Sequence, residues 1–81
     1  MMPIKALFDK IKWDPHEEAS SYHVYYEDRM SHALVCFSFS DIIDREDGFL
    51  KIKSGKEAVI VPLHRIKKVE KHGRIVWERQ L

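Results

Sequence analysis

Ile4, Leu7, Phe8 and Ile11 recur at the three- and four-residue intervals of a single helix face, and Lys5, Asp9, Lys10 and Lys12 fall on the opposite one. This spacing predicts a helix over residues 3 to 12, about three turns long, stopped by Asp14-Pro15. An acidic, small-residue loop from Glu17 to Ser21 follows. Tyr22, Val24 and Tyr26 then alternate with His23 and Tyr25, the two-residue period of a strand with one buried face. Asp28 to His32 is expected as a turn. Ala33 to Phe39 is expected as a second strand, with Val35, Phe37 and Phe39 on one side and Leu34, Cys36 and Ser38 on the other. Ser40 fits the N-cap of one short helical turn through Asp41-Ile42-Ile43-Asp44, ending near Gly48.

Phe49 to Lys53 and Glu57 to Pro62 flank Ser54-Gly55, a tight hairpin signal, and Ile66 to Lys71 and Arg74 to Arg79 flank a second, His72-Gly73. The fold class expected is α+β: one N-terminal helix packed on five or six mainly antiparallel strands, in a strongly twisted sheet or a partly open barrel. Pro62 cannot donate to a ladder and belongs at an edge, an end or a bulge. Ile66 and Val69 stand three apart instead of two, which calls for a bulge or a helical turn just after the proline. His64 and Arg65 then sit on an irregular segment whose side chains can converge on a ligand.

With 81 residues the chain is read as one domain, 1–81, and a domain of this size buries only roughly 60 to 65% of its unfolded surface. No apolar run approaches the roughly 18 residues of a membrane span. The N-terminus lacks the apolar stretch and cleavage site of a signal peptide, and Cys36, the only cysteine, leaves no internal disulfide. A reducing cytoplasm is the expected location. There is no Asn, no Thr and one Gln, among plentiful ions, a pattern associated with hyperthermophiles. Residues 1–50 carry five Lys/Arg against ten Asp/Glu, a net of −5, and residues 51–81 nine against three, a net of +6. The basic C-terminal part meets either an anionic partner or the acidic part of its own fold.

Several chemistries find no support. Five scattered histidines and one cysteine lack zinc-ligand spacing, so no metal site is expected. Cys36, between Val35 and Phe37, reads as a small core hydrophobe and not as a nucleophile. Gly48, Gly55 and Gly73 stand singly, so no phosphate-cradling glycine loop exists and no nucleotide cofactor is expected. The paired His-x-Thr or His-x-Ser motifs of cyclic-phosphate phosphoesterases are absent.

What remains are two stretches, Lys10-Ile11-Lys12-Trp13-Asp14-Pro15 and Val61-Pro62-Leu63-His64-Arg65-Ile66, each setting a ring beside fixed positive charge and a proline. Such groups suit a reader of phosphate and base. Arg65 offers a planar fork for bidentate phosphate binding, or else a structural bond to a carboxylate such as Asp14. His64 is either a ligand contact or a satisfied buried histidine. For Trp13 and Trp77 a core role is favoured over base stacking. Lys67 and Lys68, with Lys71, are phosphate contacts or a solvated face.

Ile-Lys-Trp-Asp-Pro at 11 to 15, the aromatic strand at 22 to 26, Ile-Val-Pro-Leu-His-Arg-Ile at 60 to 66 and Val-Trp-Glu-Arg at 76 to 79 resemble a small archaeal family, the RNA cyclic-group end recognition domain. The resemblance runs over almost the whole chain in the same order. It implies recognition of RNA ends bearing a 2′,3′-cyclic phosphate. Trp13, Asp14, Pro62, His64, Arg65 and Trp77 match that family's characteristic positions. The Asp28 to His32 stretch departs from them, and no role is carried over to it.

Residues and resemblance together point to a non-catalytic binder of a single-stranded RNA 3′ end, acting in RNA processing or repair, alone or beside an RNA-processing protein. Arg65 is expected to grip the phosphate oxygens and His64 to donate to a phosphate or ribose oxygen. Lys12 with Lys67 or Lys68 would hold the adjacent backbone, Trp13 or Trp77 would stack on the last base, and Asp14 would orient Arg65. The alternatives are a protein-interaction module or weak homodimer acting through an edge strand and the basic C-terminal surface, and a weak ring-opening enzyme using His64.

Overall fold

The helical spacing at the N-terminus forms the ten-residue helix α1 (Ile4–Trp13) in a computed structural model whose described residues are 3–79. Positions 1, 2, 80 and 81 of the expected domain lie outside them. Pro3 precedes the first turn, and Lys10 and Lys12 sit in the last, where cations suit the negative end of the helix dipole. Asp14 ends it, its N–H donating to Lys10 O at 3.0 Å.

Seven strands follow: β1 (Tyr22–Glu27), β2 (Leu34–Ser38), β3 (Ile42–Arg45), β4 (Phe49–Ser54), β5 (Glu57–Pro62), β6 (Ile66–Lys71) and β7 (Arg74–Glu78). They form two antiparallel sheets, one of order β2-β1-β6-β7 and one of order β3-β4-β5. Two 3₁₀ turns pass the chain between them: Phe39–Asp41 joins β2 to β3, and Leu63–Arg65 joins β5 to β6. Leu7, Phe8 and Ile11 of α1 share one buried cluster with Val24, Leu50, Val61, Ile66, Val69 and Trp77. The Phe8 ring meets Phe39 edge-on at 5.2 Å, fastening the helix to the first corner.

Both expected hairpins form. Gly55, φ +63°, turns β4 into β5, and His72 with Gly73, φ +51° and +81°, turns β6 into β7, the paired positive φ of a two-residue hairpin turn. Pro62 ends β5, an edge strand. The three-residue gap from Ile66 to Val69 resolves into a 3₁₀ turn and a bulge together. Tyr26 pairs with Ile66 and Tyr25 with Lys68, so Lys67 is the extra residue.

Three expectations are corrected. Among the described residues strands number seven in two sheets, with no closed barrel, because Ile42–Arg45 pairs with β4 instead of coiling into a helical turn. The turn before it, Phe39–Asp41, is capped by Ser38, whose hydroxyl accepts from the Ser40 N–H. Cys36 is exposed, not a core residue. It lies on the outer face of an edge strand, where alternation with buried Phe37 decides its direction whatever its hydrophobicity.

Candidate nucleic-acid interface

The second corner is held from every side. Pro62 is paired with Phe49, and the Leu63 N–H donates to Gly48 O at 2.9 Å. Leu63 and Ile66 are buried, 6% and 0% exposed, and anchor the two ends of the turn. Arg79 completes the grip, its Nε donating to Ile66 O at 2.9 Å and its Nη2 to Leu63 O at 2.8 Å. A guanidinium has five fixed donors, so two bonds to main-chain oxygens on either side of the turn fix its shape. Between the anchors, His64 is exposed and Arg65 half-buried, and neither side chain makes a hydrogen bond or ion pair among the described residues.

His64 and Arg65 line a groove of about 330 Å³ between the end of β1, the turn after it and edge strand β5. Arg29 adds a second guanidinium, and Val59, Ile60, Pro62 and Tyr26 supply an apolar wall. Glu27 and Asp28 line it too. Asp28 is committed to its own turn, accepting from the Ser31 N–H at 3.1 Å and the Ser31 hydroxyl at 2.8 Å, which hold its carboxyl below the usual value. Two guanidiniums and an imidazole therefore face two carboxylates, a nearly balanced site. His64 is the one histidine among the lining residues.

The other expected site residues scatter. Lys12 lines a separate groove of about 540 Å³, with Phe39, Ser40, Ile43 and Arg45, that shares no lining residue with the first. The two grooves lie against opposite edges of the smaller sheet, β3 and β5. Trp13, expected in the core, is 74% exposed, with Lys12 Nζ 5.5 Å from its ring centre. Trp77 is 6% exposed and packed in the core, which leaves stacking to Trp13 alone. The difference is one of place. Trp13 sits past the last core-facing residue of the helix, Ile11, whereas Trp77 pairs with Val69 on an inward-facing row.

Lys68 lies on the outer face of the larger sheet, 3.2 Å from Glu70 and 4.6 Å from the centre of the Tyr25 ring. Tyr25 donates to Glu70 at 3.1 Å, and hydrogen bonding to Cys36 and Glu70 pushes its phenol up to about 12. Lys67 occupies the bulge directly after the corner, its main-chain oxygen accepting from the Arg79 N–H at 2.9 Å. Asp14 accepts from the His16 N–H at 2.9 Å and forms no ion pair with Arg65 among the described residues. Asp14 is thus a cap for the chain leaving the helix. Sequence reasoning missed Arg29, which carries no local pattern, the place of Tyr26 in the groove, since its alternation marked it only as a strand residue, and the clamping role of Arg79, whose only sign was its place in the closing Val-Trp-Glu-Arg. Among the described residues no group of three or more His, Cys, Asp or Glu side chains could hold a metal ion.

Comparison with known proteins matches residues 1–79 to the MJ1316 RNA cyclic group end recognition domain. A UPF0248 protein of Saccharolobus islandicus is 32% identical over 81 residues, covering 96% of this chain and all of the relative. UPF0248 proteins of Methanopyrus kandleri and Pyrococcus abyssi are each 36% identical, over 82% and 93% of this chain and 85% and 87% of their own lengths. No solved structure matches. No helix among the described residues is long and apolar enough to cross a membrane.

Proposed function

Because this chain belongs to the MJ1316 RNA cyclic group end recognition domain family, we propose that it binds RNA ends bearing a 2′,3′-cyclic phosphate, in RNA processing or repair. The observation that carries this reading is the pair His64 and Arg65, without hydrogen-bond or ion-pair partners among the described residues, on a corner clamped by Arg79. A terminal cyclic phosphate is a compact monoanion with two free oxygens, a match for one guanidinium fork. A linear terminal phosphate carries nearly two charges. The charges lining the groove are nearly balanced, so preference for the cyclic form rests on the directed geometry of the Arg65 fork and not on charge. Arg65 grips the phosphate, His64 donates to a phosphate or ribose oxygen, and Lys67, one bulge away, holds the neighbouring backbone. Trp13 and Lys12 reach only RNA that extends to the other side of the smaller sheet. Titrating the chain with matched oligonucleotides that differ only in cyclic, linear-phosphate or hydroxyl 3′ ends tests the reading. The cyclic end binds tightest, and equal affinity for all three would overturn end recognition.

One observation favours a second reading, protein interaction through an edge strand. Of the four sheet edges among the described residues, β2 alone has neither a charged residue nor a proline, and Leu34, Val35 and Cys36 are all exposed. Edges without such protection pair readily with other strands. Elution as a dimer that dissociates on changing Val35 to Lys supports it, and a monomer at all concentrations opposes it.

A further inference from the structure

Leu50, Ile52 and Val61 put one face of the smaller sheet into the core. Alternation leaves Phe49, Lys51 and Lys53 of β4 on the other face, all three exposed. The strand register pairs them with Pro62, Ile60 and Ala58 of β5, and paired residues share a face. Phe49 is 38% exposed and Ile60 52%. Apolar residues exposed singly are ordinary, but a phenyl ring, a proline and an isoleucine at adjoining positions form a patch that a solvated sheet face has no use for. Beside it, neither Lys51 nor Lys53 makes a hydrogen bond or ion pair among the described residues. Asp44 of β3 pairs with Lys51 in the register, yet its carboxylate accepts from the Arg45 N–H at 2.8 Å and forms no ion pair with the lysine.

We infer that this outer face carries the RNA strand upstream of the terminal nucleotide, along β4 from Phe49 to Lys53. The inference rests on the RNA-end reading proposed above and adds a path for the chain 5′ of the gripped phosphate. Phe49 lies next to the corner, since it pairs with Pro62, and Gly48 before it accepts from the Leu63 N–H at 2.9 Å. Its ring is placed to stack on the base adjoining the end. Beyond it, residues on one face of a strand recur about every 7 Å, of the order of the phosphate spacing in an extended single strand. Lys51 and Lys53 thus meet successive phosphates. Ile60 and Pro62 also line the groove of His64 and Arg65, which makes the track continuous with the corner. Charge sets the side taken. Asp44 repels the backbone from β3, whereas Pro62, Ile60 and Ala58 of β5 carry no charge, so the strand keeps to the β4 and β5 side. An acidic peptide would match the lysines but brings no flat face to Phe49, and single-stranded RNA brings both.

The test uses the full chain and oligonucleotides one, two, four and six nucleotides long, each with a cyclic-phosphate and a hydroxyl 3′ end. For the unmutated chain, affinity for cyclic ends rises at least about tenfold from one nucleotide to four. Lys51→Gln combined with Lys53→Gln, at exposed positions without ion pairs, reduces that rise to within about threefold and leaves the one-nucleotide ligand bound as before. Phe49→Leu keeps the apolar packing and loses the ring, and weakens binding of the longer ligands about fivefold. Affinity that does not grow with length, with cyclic ends still preferred, overturns the track and leaves the RNA-end reading standing. A rise that survives the paired lysine change overturns it as well. A hexaglutamate peptide with blocked ends, displacing a hexanucleotide of the same charge as well as RNA does, would make the occupant an acidic peptide. Indifference between cyclic and hydroxyl ends, with the lysine-dependent rise intact, overturns end recognition and keeps the track.

Discussion

Arg79 Nη2 donates to the main-chain oxygen of Leu63 at 2.8 Å, across a sequence separation of 16. The residue just past β7 thereby holds the start of the turn that carries His64 and Arg65, while its Nε holds the end of it at Ile66. The guanidinium carbon lies 5.3 Å from the Trp77 ring centre, so aromatic contact steadies the fork as well. The corner is held here because a charged side chain from the neighbouring hairpin spans it.

Arg79→Ala removes two charge-assisted bonds and leaves two main-chain acceptors to water, and is expected to cost about 2 kcal/mol of stability. Arg79→Lys, with a single point donor, recovers less than half of that. Urea denaturation at constant m decides it. A midpoint unchanged by both substitutions would show that the clamp contributes nothing.

The tryptophans separate stability from binding. Trp77→Ala empties a buried site and costs about 3 to 5 kcal/mol, whereas Trp13→Ala, at an exposed position, changes stability by less than about 0.5 kcal/mol. Where the RNA is long enough to reach it, Trp13→Ala weakens binding by roughly 1 to 3 kcal/mol, the value of one stacked base. Quenching of Trp13 fluorescence as oligonucleotide length is increased gives the reach directly, and no quenching at any length removes Trp13 from the interface.

Arg65→Lys keeps the charge and loses the fork. It is expected to abolish most of the preference for cyclic over linear ends, about 1 kcal/mol or more, while weakening overall binding less than Arg65→Ala. About three phosphate contacts also set the slope of log K against log salt near −2, roughly a 20-fold loss between 50 and 200 mM salt. Salt-independent affinity would exclude phosphate contacts as the main attraction.

Glu17 accepts from the Tyr22 hydroxyl and faces Lys71 Nζ at 3.2 Å, and both hold its carboxyl below the ordinary 4.5. A depressed carboxylate stabilises the fold above its unfolded value and loses that contribution as pH falls through the folded one. Tyr22 and Lys71 are shifted upward, Tyr22 chiefly by burial and Lys71 chiefly by its bond to Glu17, so their contributions persist until the pH rises past about 10. The difference in Tm between the unmutated chain and Glu17→Gln is therefore full near neutrality and closes as the pH is taken below 4.5. A gap that stays constant down to acid pH would mean that the charge of Glu17 is not what it contributes.

Local periodicity wrote much of the fold into the sequence. The helix face of Ile4, Leu7, Phe8 and Ile11, the alternation of Tyr22, Val24 and Tyr26, and both glycine hairpins depend on neighbours within a few residues, and all appear where the spacing puts them. The break between Ile66 and Val69 was legible for the same reason, as a departure from a period of two. Ile42–Arg45 was not. Four residues with two charges have no period of their own and became a strand only because β4 lies beside them.

The candidate site divides along the same line. That His64 and Arg65 sit on an irregular segment followed from Pro62 and the broken spacing. Which groups join them did not, because Glu27, Arg29 and Tyr26 come from a strand end some 35 to 40 positions earlier, and Arg79 from a later hairpin. The same holds for the parting of Trp13 from Trp77 and of Lys12 from Arg65. Burial and proximity are set by which sheet edge a residue reaches, a property of strand order, and strand order is fixed by long-range pairing that no stretch of sequence contains by itself.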